Sequence, residues 1–298
     1  MELQYLIVKM VTERLLRMLS LILRFFSTFK SSKAYTRILQ HLKKDVGQKY
    51  LEIVKGMSPE LMTRSYFSEL AKQNSIGGPH VDDFGPPVFT LSPTLLRYWK
   101  CVSDVSWLFG DLDGKRVLEI GVGYGGLAHA MFNRWGGIAS YTLVDMPTVE
   151  QLANKVLKMV RPSDSDKIIL WNTAQEPTNA NTSDYYDLCI SNYAFSELTE
   201  KIADNYATAI LSHCRGAFLT WNRGRFLDGK RKQFYTRFEK FANATSSRVL
   251  TEKEIPLTSP ETEFVVWGVD TEREACWYAA MQGSKQTGCR NSTKAVTK

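Results

Sequence analysis

The chain has 298 residues, 44% of them hydrophobic and 23% charged, and a formal net charge of +7, an ordinary soluble composition with enough apolar residues for one large core or one core and a smaller appended piece. Its five cysteines, Cys101, Cys189, Cys214, Cys276 and Cys289, form an odd set with no C-x-x-C pair. They exclude a disulfide framework and a zinc site as expectations and make a reducing cytoplasm the simplest home.

Residues 1–30 are apolar but interrupted by Glu2, Lys9, Glu13, Arg14, Arg17 and Arg24. No uncharged run approaches the roughly 20 residues that a bilayer span requires. The polar residues recur near helical spacing and leave a wide apolar face. Such a helix packs against protein, as in a homo-oligomer, or lies peripherally on the anionic inner face of a membrane, and both readings stay open. Residues 1–73 are expected to form a helical extension, with breaks at Gly47, Gly56 and Ser58-Pro59. Residues 74–93 contain Gly77, Gly78, Gly85, Pro79, Pro86, Pro87 and Pro93, which predicts a loop with little regular structure. In it His80, Asp82 and Asp83 lie among aromatics and prolines, so the loop is expected to be an ordered lid over a pocket. An amphipathic helix follows over 94–109, its apolar side marked by Leu96, Trp99, Val102 and Val105.

The segment RVLEIGVGYGGL, 116–127, reads as strand, glycine turn and helix. Val117, Leu118 and Ile120 suit a strand buried on both faces. Gly121, Gly123, Gly125 and Gly126 then suit a bend that must approach a ligand closely. Their spacing fits a dinucleotide fingerprint and equally the G-x-G-x-G of S-adenosylmethionine (SAM) sites. Glu119 separates the two: an acid there sits poorly beside a pyrophosphate and well beside the cationic methionine end of SAM. Asp145 closes the next strand, 20 residues after Gly125, where its carboxylate can accept both ribose hydroxyls in either class.

Beyond Asp145 the pattern alternates. Helices are expected over 149–160, 198–214 and 230–241, and strands over 167–171, 187–191 and 217–221. This predicts a doubly wound, mostly parallel seven-stranded α/β sheet with its ligand at the carboxyl ends of the strands, where Gly121, Asp145, Asn172 and Asn192 fall. Two strand-like runs, 248–255 and 263–270, have no helix between them and predict an antiparallel hairpin closing the sheet. Residues 271–298 are polar and are expected to be a flexible tail. Over 221–240 the cations Arg223, Arg225, Lys230, Arg231, Lys232, Arg237 and Lys240 outnumber Asp228 and Glu239 by five, fitting a solvated helix face or a patch for phosphate or anionic lipid.

The core, 92–270, resembles class I SAM-dependent methyltransferases, and more narrowly the sugar O-methyltransferases of bacterial surface polysaccharide synthesis. The matching pieces are SPTLLRYWK (92–100), RVLEIGVGYGGLA (116–128), YTLVDMP (141–147), DLCISNYAFSEL (187–198) and FLTWN (218–222). The resemblance implies a Rossmann-like SAM domain over 94–270. It also implies that Gly121, Gly123 and Gly125 let the methionine moiety lie on the backbone, with Glu119 near its ammonium. Asp145 would take the ribose and Met146 would flank the adenine. Asn172 would border the adenine edge, while Asn192 and Tyr193 would face the sulfonium and the acceptor.

Transfer to a hydroxyl needs a base, and the candidates are Glu197, His80 and Asp83. His129 is expected to pack on the sheet and His213 to complement a helix end, while His41 precedes the core and carries no signal. A metal is not expected. The acceptor is expected to be a sugar or glycan, carried on a phosphate in some readings, and no nucleic-acid partner is expected because no RNA-binding module is recognisable. The alternatives are a SAM methyltransferase of RNA or another small molecule, an inactive SAM-fold scaffold and, remotely, a dehydrogenase.

Overall fold

A computed structural model describes residues 26–38, 41–172, 186–222, 228–256, 261–283 and 289. Three helices come first: α1 (Lys33–Ile38), α2 (Lys44–Met57) and α3 (Arg64–Ala71). The longer α4 (Pro93–Phe109) opens with proline at its first position and stops at Gly110, whose φ of 75° a side chain would resist. The sheet is built from β1 (Arg116–Ile120), β2 (Ser140–Asp145), β3 (Ile168–Asn172), β4 (Tyr186–Asn192), β5 (Cys214–Asn222), β6 (Leu250–Lys253) and β7 (Thr262–Trp267). Between them run α5 (Gly126–Arg134), α6 (Pro147–Val160), the single turn α7 (Ala194–Glu197), α8 (Glu200–Ala209) and α9 (Asp228–Ala244), and α10 (Thr271–Met281) follows.

Spatial order is β3-β2-β1-β4-β5-β7-β6, with β1 to β5 parallel and β7 antiparallel to both β5 and β6. This is the doubly wound sheet and closing hairpin that the alternation predicts. The central strands are covered on both sides, which is why they read as apolar runs. Val117, Tyr141 and Leu143 join a core with α4, α5 and α6, whereas Leu118, Val144 and Leu219 face Phe195, Phe234 and Phe238. In the second cluster Phe238 stacks on Trp267 with ring centroids 5.4 Å apart. Fully burying a large apolar side chain of this kind contributes about 1.5–3 kcal/mol.

Several expectations are corrected. The leading helices are not a separate appendage: Leu51 and Val54 of α2 and Phe67 and Leu70 of α3 belong to the same buried cluster as Val117 and Tyr141. The helix expected over 198–214 is shorter, Glu200–Ala209, because Leu198 is extended and Cys214 already starts β5. The segment 271–298 is not all tail. Asp270 caps α10 by accepting the Arg273 N–H at 2.8 Å, and Trp277 is fully buried, its indole donating to Asp104 at 3.0 Å. Against the expectation from the cysteine count, Cys276 and Cys289 are joined by a disulfide.

Among the described residues no helix is long and apolar enough to cross a membrane. The amphipathic reading of 1–30 falls mostly outside the described residues, as do the side chains of Arg223, Arg225, Lys230, Arg231 and Lys232.

Candidate active site

At the carboxyl ends of the strands lies a cavity of about 1080 Å³. Gly121 sits at the bend after β1 with φ 82°, and a Cβ there would come within 2.0 Å of the Ala194 Cβ. Only glycine meets both demands. The sheet register pairs Glu119 with Leu143, so Glu119 and Asp145, two residues beyond Leu143, point to the same face. Both line the cavity, together with Gly121, Gly123 and Met146. Gly125 instead supplies the left-handed start of α5, at φ 80°, and packs against Leu157.

Glu119 is 3% exposed and accepts a hydrogen bond from Tyr141 Oη at 2.7 Å. Burial outweighs that bond, the nearby charge of Asp145 adds to it, and the carboxyl is pushed up to about 8. No described cation pairs with it within ion-pair distance. Asp145 accepts the Gly123 N–H through Oδ2 at 3.2 Å and the Met146 N–H through Oδ1 at 2.8 Å. These bonds fix its carboxylate at the turn, although burial raises its pKa all the same. Glu150, in the first turn of α6, accepts the Asp145 N–H at 3.1 Å. Met146 is 65% exposed, so its thioether is available to a flat ring at the rim.

β4 ends in a conformation that its neighbours impose. Tyr193 takes φ 67° and ψ −33°, a region costing an ordinary residue about 1–3 kcal/mol. Its N–H donates to Thr220 O at 2.9 Å and its carbonyl accepts from Ser196 Oγ at 2.7 Å, which holds it there. Its hydroxyl donates to Glu254. Asn192 beside it accepts from Thr220 Oγ1 at 3.0 Å, and both Asn192 and Tyr193 line the cavity, as does Glu197 at the end of α7. Asn172 ends β3 opposite Asp145 in the ladder, and its side chain lies outside the described residues.

The expected lid does not cover the cavity, and none of its residues lines it. Residues 74–93 are instead held by one another and by the leading segment: Asn74 donates to Thr90 O, the Lys30 N–H donates to Gly77 O, and a Cβ on Gly47 of α2 would touch Phe84. His80 faces Asp82 at 3.1 Å, and Asp83 accepts the Gly85 N–H at 2.9 Å. The structure therefore removes His80 and Asp83 from the candidate bases and leaves Glu197. His129 is buried and neutral, lowered to about 3 chiefly by desolvation, as its packing role predicts.

The structure adds Tyr35, His41, Arg97 and Tyr98 to the cavity. His41 and Tyr35 carry no local signal, but Arg97 carries one. The other charged residues of α4, Lys100 and Asp104, pair one turn apart at 2.5 Å, so Arg97 is left with no acid a turn away. Among the described residues no group of three or more His, Cys, Asp or Glu side chains gathers in a way that could hold a metal.

No protein-family profile matches the sequence, and no curated protein matches it. Solved structures do resemble it distantly. The methyltransferase domain of bacterial CtHen1 shares 18% identity over 57% of this chain and 96% of its own, with a TM-score of 0.41. An O-methyltransferase family protein from Burkholderia thailandensis shares 12% over 58% of this chain and 56% of its own, at 0.39. PigF, solved with S-adenosylhomocysteine (SAH), shares 12% over 52% of this chain and 57% of its own, at 0.34.

Proposed function

We propose that the protein is a SAM-dependent O-methyltransferase that transfers a methyl group to a sugar hydroxyl, on a glycan or on a nucleotide- or lipid-linked sugar. The observation that carries this reading is Glu119, a buried carboxyl without a described cationic partner that lines the cavity beside Asp145 at a glycine bend. A dinucleotide would bring its pyrophosphate to that bend against the acid. A ligand with an ammonium and a sulfonium instead favours the charged form of this carboxyl and then pairs with it in a buried setting. The residues present fit such a ligand, because Gly121 and Gly123 bare the backbone to the cavity and Asp145 is fixed where a ribose would offer its hydroxyls.

When bound, SAM supplies an electrophilic methyl carbon. The chain's own part is to hold the acceptor oxygen in line with that carbon, about 3 Å away, which is worth several kcal/mol as effective molarity. Asn192 and Tyr193 are the residues placed to do so. Glu197 would accept the hydroxyl proton as the oxygen–methyl bond forms and the sulfur–methyl bond breaks to leave the neutral thioether, a contribution of about 10²–10⁴-fold. The sugar class rests on the motif resemblance over 92–270.

The test is calorimetry with SAM and NAD, followed by mass spectrometry of candidate sugar acceptors. The expected result is SAM binding, no NAD binding, and a sugar heavier by one methylene. NAD binding without SAM binding would reverse the assignment.

A further inference from the structure

Arg97 lines the same cavity, yet no described group forms an ion pair with it. Its Nε is buried with no hydrogen-bond partner among the described residues. The guanidinium lies over aromatic faces, 5.3 Å from the Tyr193 ring centre and 5.5 Å from that of Tyr98. Around it stand the phenols of Tyr193, Tyr98 and Tyr50, uncharged at neutral pH, and Tyr98 hydrogen-bonds to it, so none of these neighbours offsets its positive charge. A buried donor left unfilled is costly, so such a group at the wall of a ligand cavity suits an incoming acceptor atom. The planar fork of arginine matches a carboxylate or phosphate with two parallel bonds.

Size and position narrow the occupant. At about 1080 Å³ the cavity is slightly larger than the roughly 300–1000 Å³ usual for one small ligand, leaving room for an acceptor beside a cofactor. Arg97 lies between the Tyr98 ring and the Tyr193 ring, whose hydroxyl donates to Glu254 after β6, so on the Tyr193 side its guanidinium borders the ends of β4 and β6.

We propose that Arg97, laid on the Tyr193 ring, determines acceptor specificity by receiving an anionic oxygen group of the acceptor, a carboxylate or a phosphate. This deepens the methyltransferase reading and rests on it for the identity of the donor.

The test uses the full chain and its Arg97→Gln and Arg97→Lys variants. SAH affinity is measured by calorimetry, and inorganic phosphate and acetate are titrated with and without saturating SAH. Glucose 1-phosphate, glucuronate and glucose are then compared. The expected result is SAH affinity within twofold in all three proteins, with anion affinity at least tenfold weaker in Arg97→Gln and partly retained in Arg97→Lys. Glucose binding should not respond to residue 97. Tighter binding of glucose 1-phosphate names a phosphate, tighter binding of glucuronate a carboxylate, and both outcomes support the proposal. Equal anion binding by the wild type and Arg97→Gln would overturn it. So would a tenfold loss of SAH affinity in Arg97→Gln, because the arginine would then serve the cofactor's own carboxylate. Failure of the wild type to bind SAH would remove the donor assignment alone, and the titrations without SAH would still decide the role of Arg97.

Discussion

The cavity has two halves of different origin. One half, from Glu119 to Leu152, comes from neighbouring stretches of chain, β1, its bend, β2 and the start of α6. The other is gathered from Tyr35, Arg97, Tyr193, Glu197 and Thr262, which the fold brings together from widely separated parts of the chain. The first half depends on backbone geometry and tolerates almost no change. The second depends on side chains and can be altered piecemeal. On the function proposed above, a site whose donor end is set by the backbone and whose acceptor end is assembled from side chains could keep one chemistry while its substrate varies.

Four experiments would break or sharpen that contrast. The largest effect belongs to Gly121→Ala, which forces a Cβ within 2.0 Å of Ala194 at a φ of 82°. Loss of measurable SAM binding and a stability cost of about 1–3 kcal/mol are expected, read by calorimetry and thermal melting. A variant that binds normally would show that the donor half is not rigid.

Next is Asp145→Ala, which removes the acceptor for the Gly123 and Met146 N–H groups as well as the ribose partner. A drop in SAM affinity of about 10- to 100-fold is expected, equivalent to about 1.4–2.8 kcal/mol. Third, Glu197→Gln is expected to lower turnover about tenfold or more with SAM affinity unchanged, and equal turnover would remove Glu197 from the chemistry.

The smallest effect is a pH dependence. Glu119 holds its proton in the free protein until about pH 8, whereas a cationic ligand favours the carboxylate. Binding should therefore release a proton, and SAM affinity should rise with pH from 6 toward 8, by no more than about tenfold per unit. Glu119→Gln should flatten the profile. The same shift makes the ligand-free fold less stable as pH rises between 4.5 and about 8, because the unfolded chain loses this proton first.

How much was legible in the sequence follows the same division. Glu119, Gly121, Gly123, Asp145 and Met146 are fixed by short-range pattern, and the strand order follows from alternation and from a hairpin without a helix. In the acceptor half a motif marks Asn192, Tyr193 and Glu197, whereas SPTLLRYWK spans Arg97 and Tyr98 without showing which way they face. Proline and glycine in 74–93 correctly predict irregular backbone, but nothing local says which surface such a loop will face, so His80 and Asp83 were misplaced. His41 enters the cavity because the leading helices share the main core, a fact of packing and not of periodicity. The missed helix α10 did leave a signal, since Asp270 followed by Glu272 and Glu274 is an N-terminal capping pattern.

The indole of Trp277 donates to Asp104, which grips Lys100 one rung from Arg97. The helix that carries Arg97 is thereby tied to α10, so loss of Trp277 would loosen one wall of the cavity from a residue that does not itself line it.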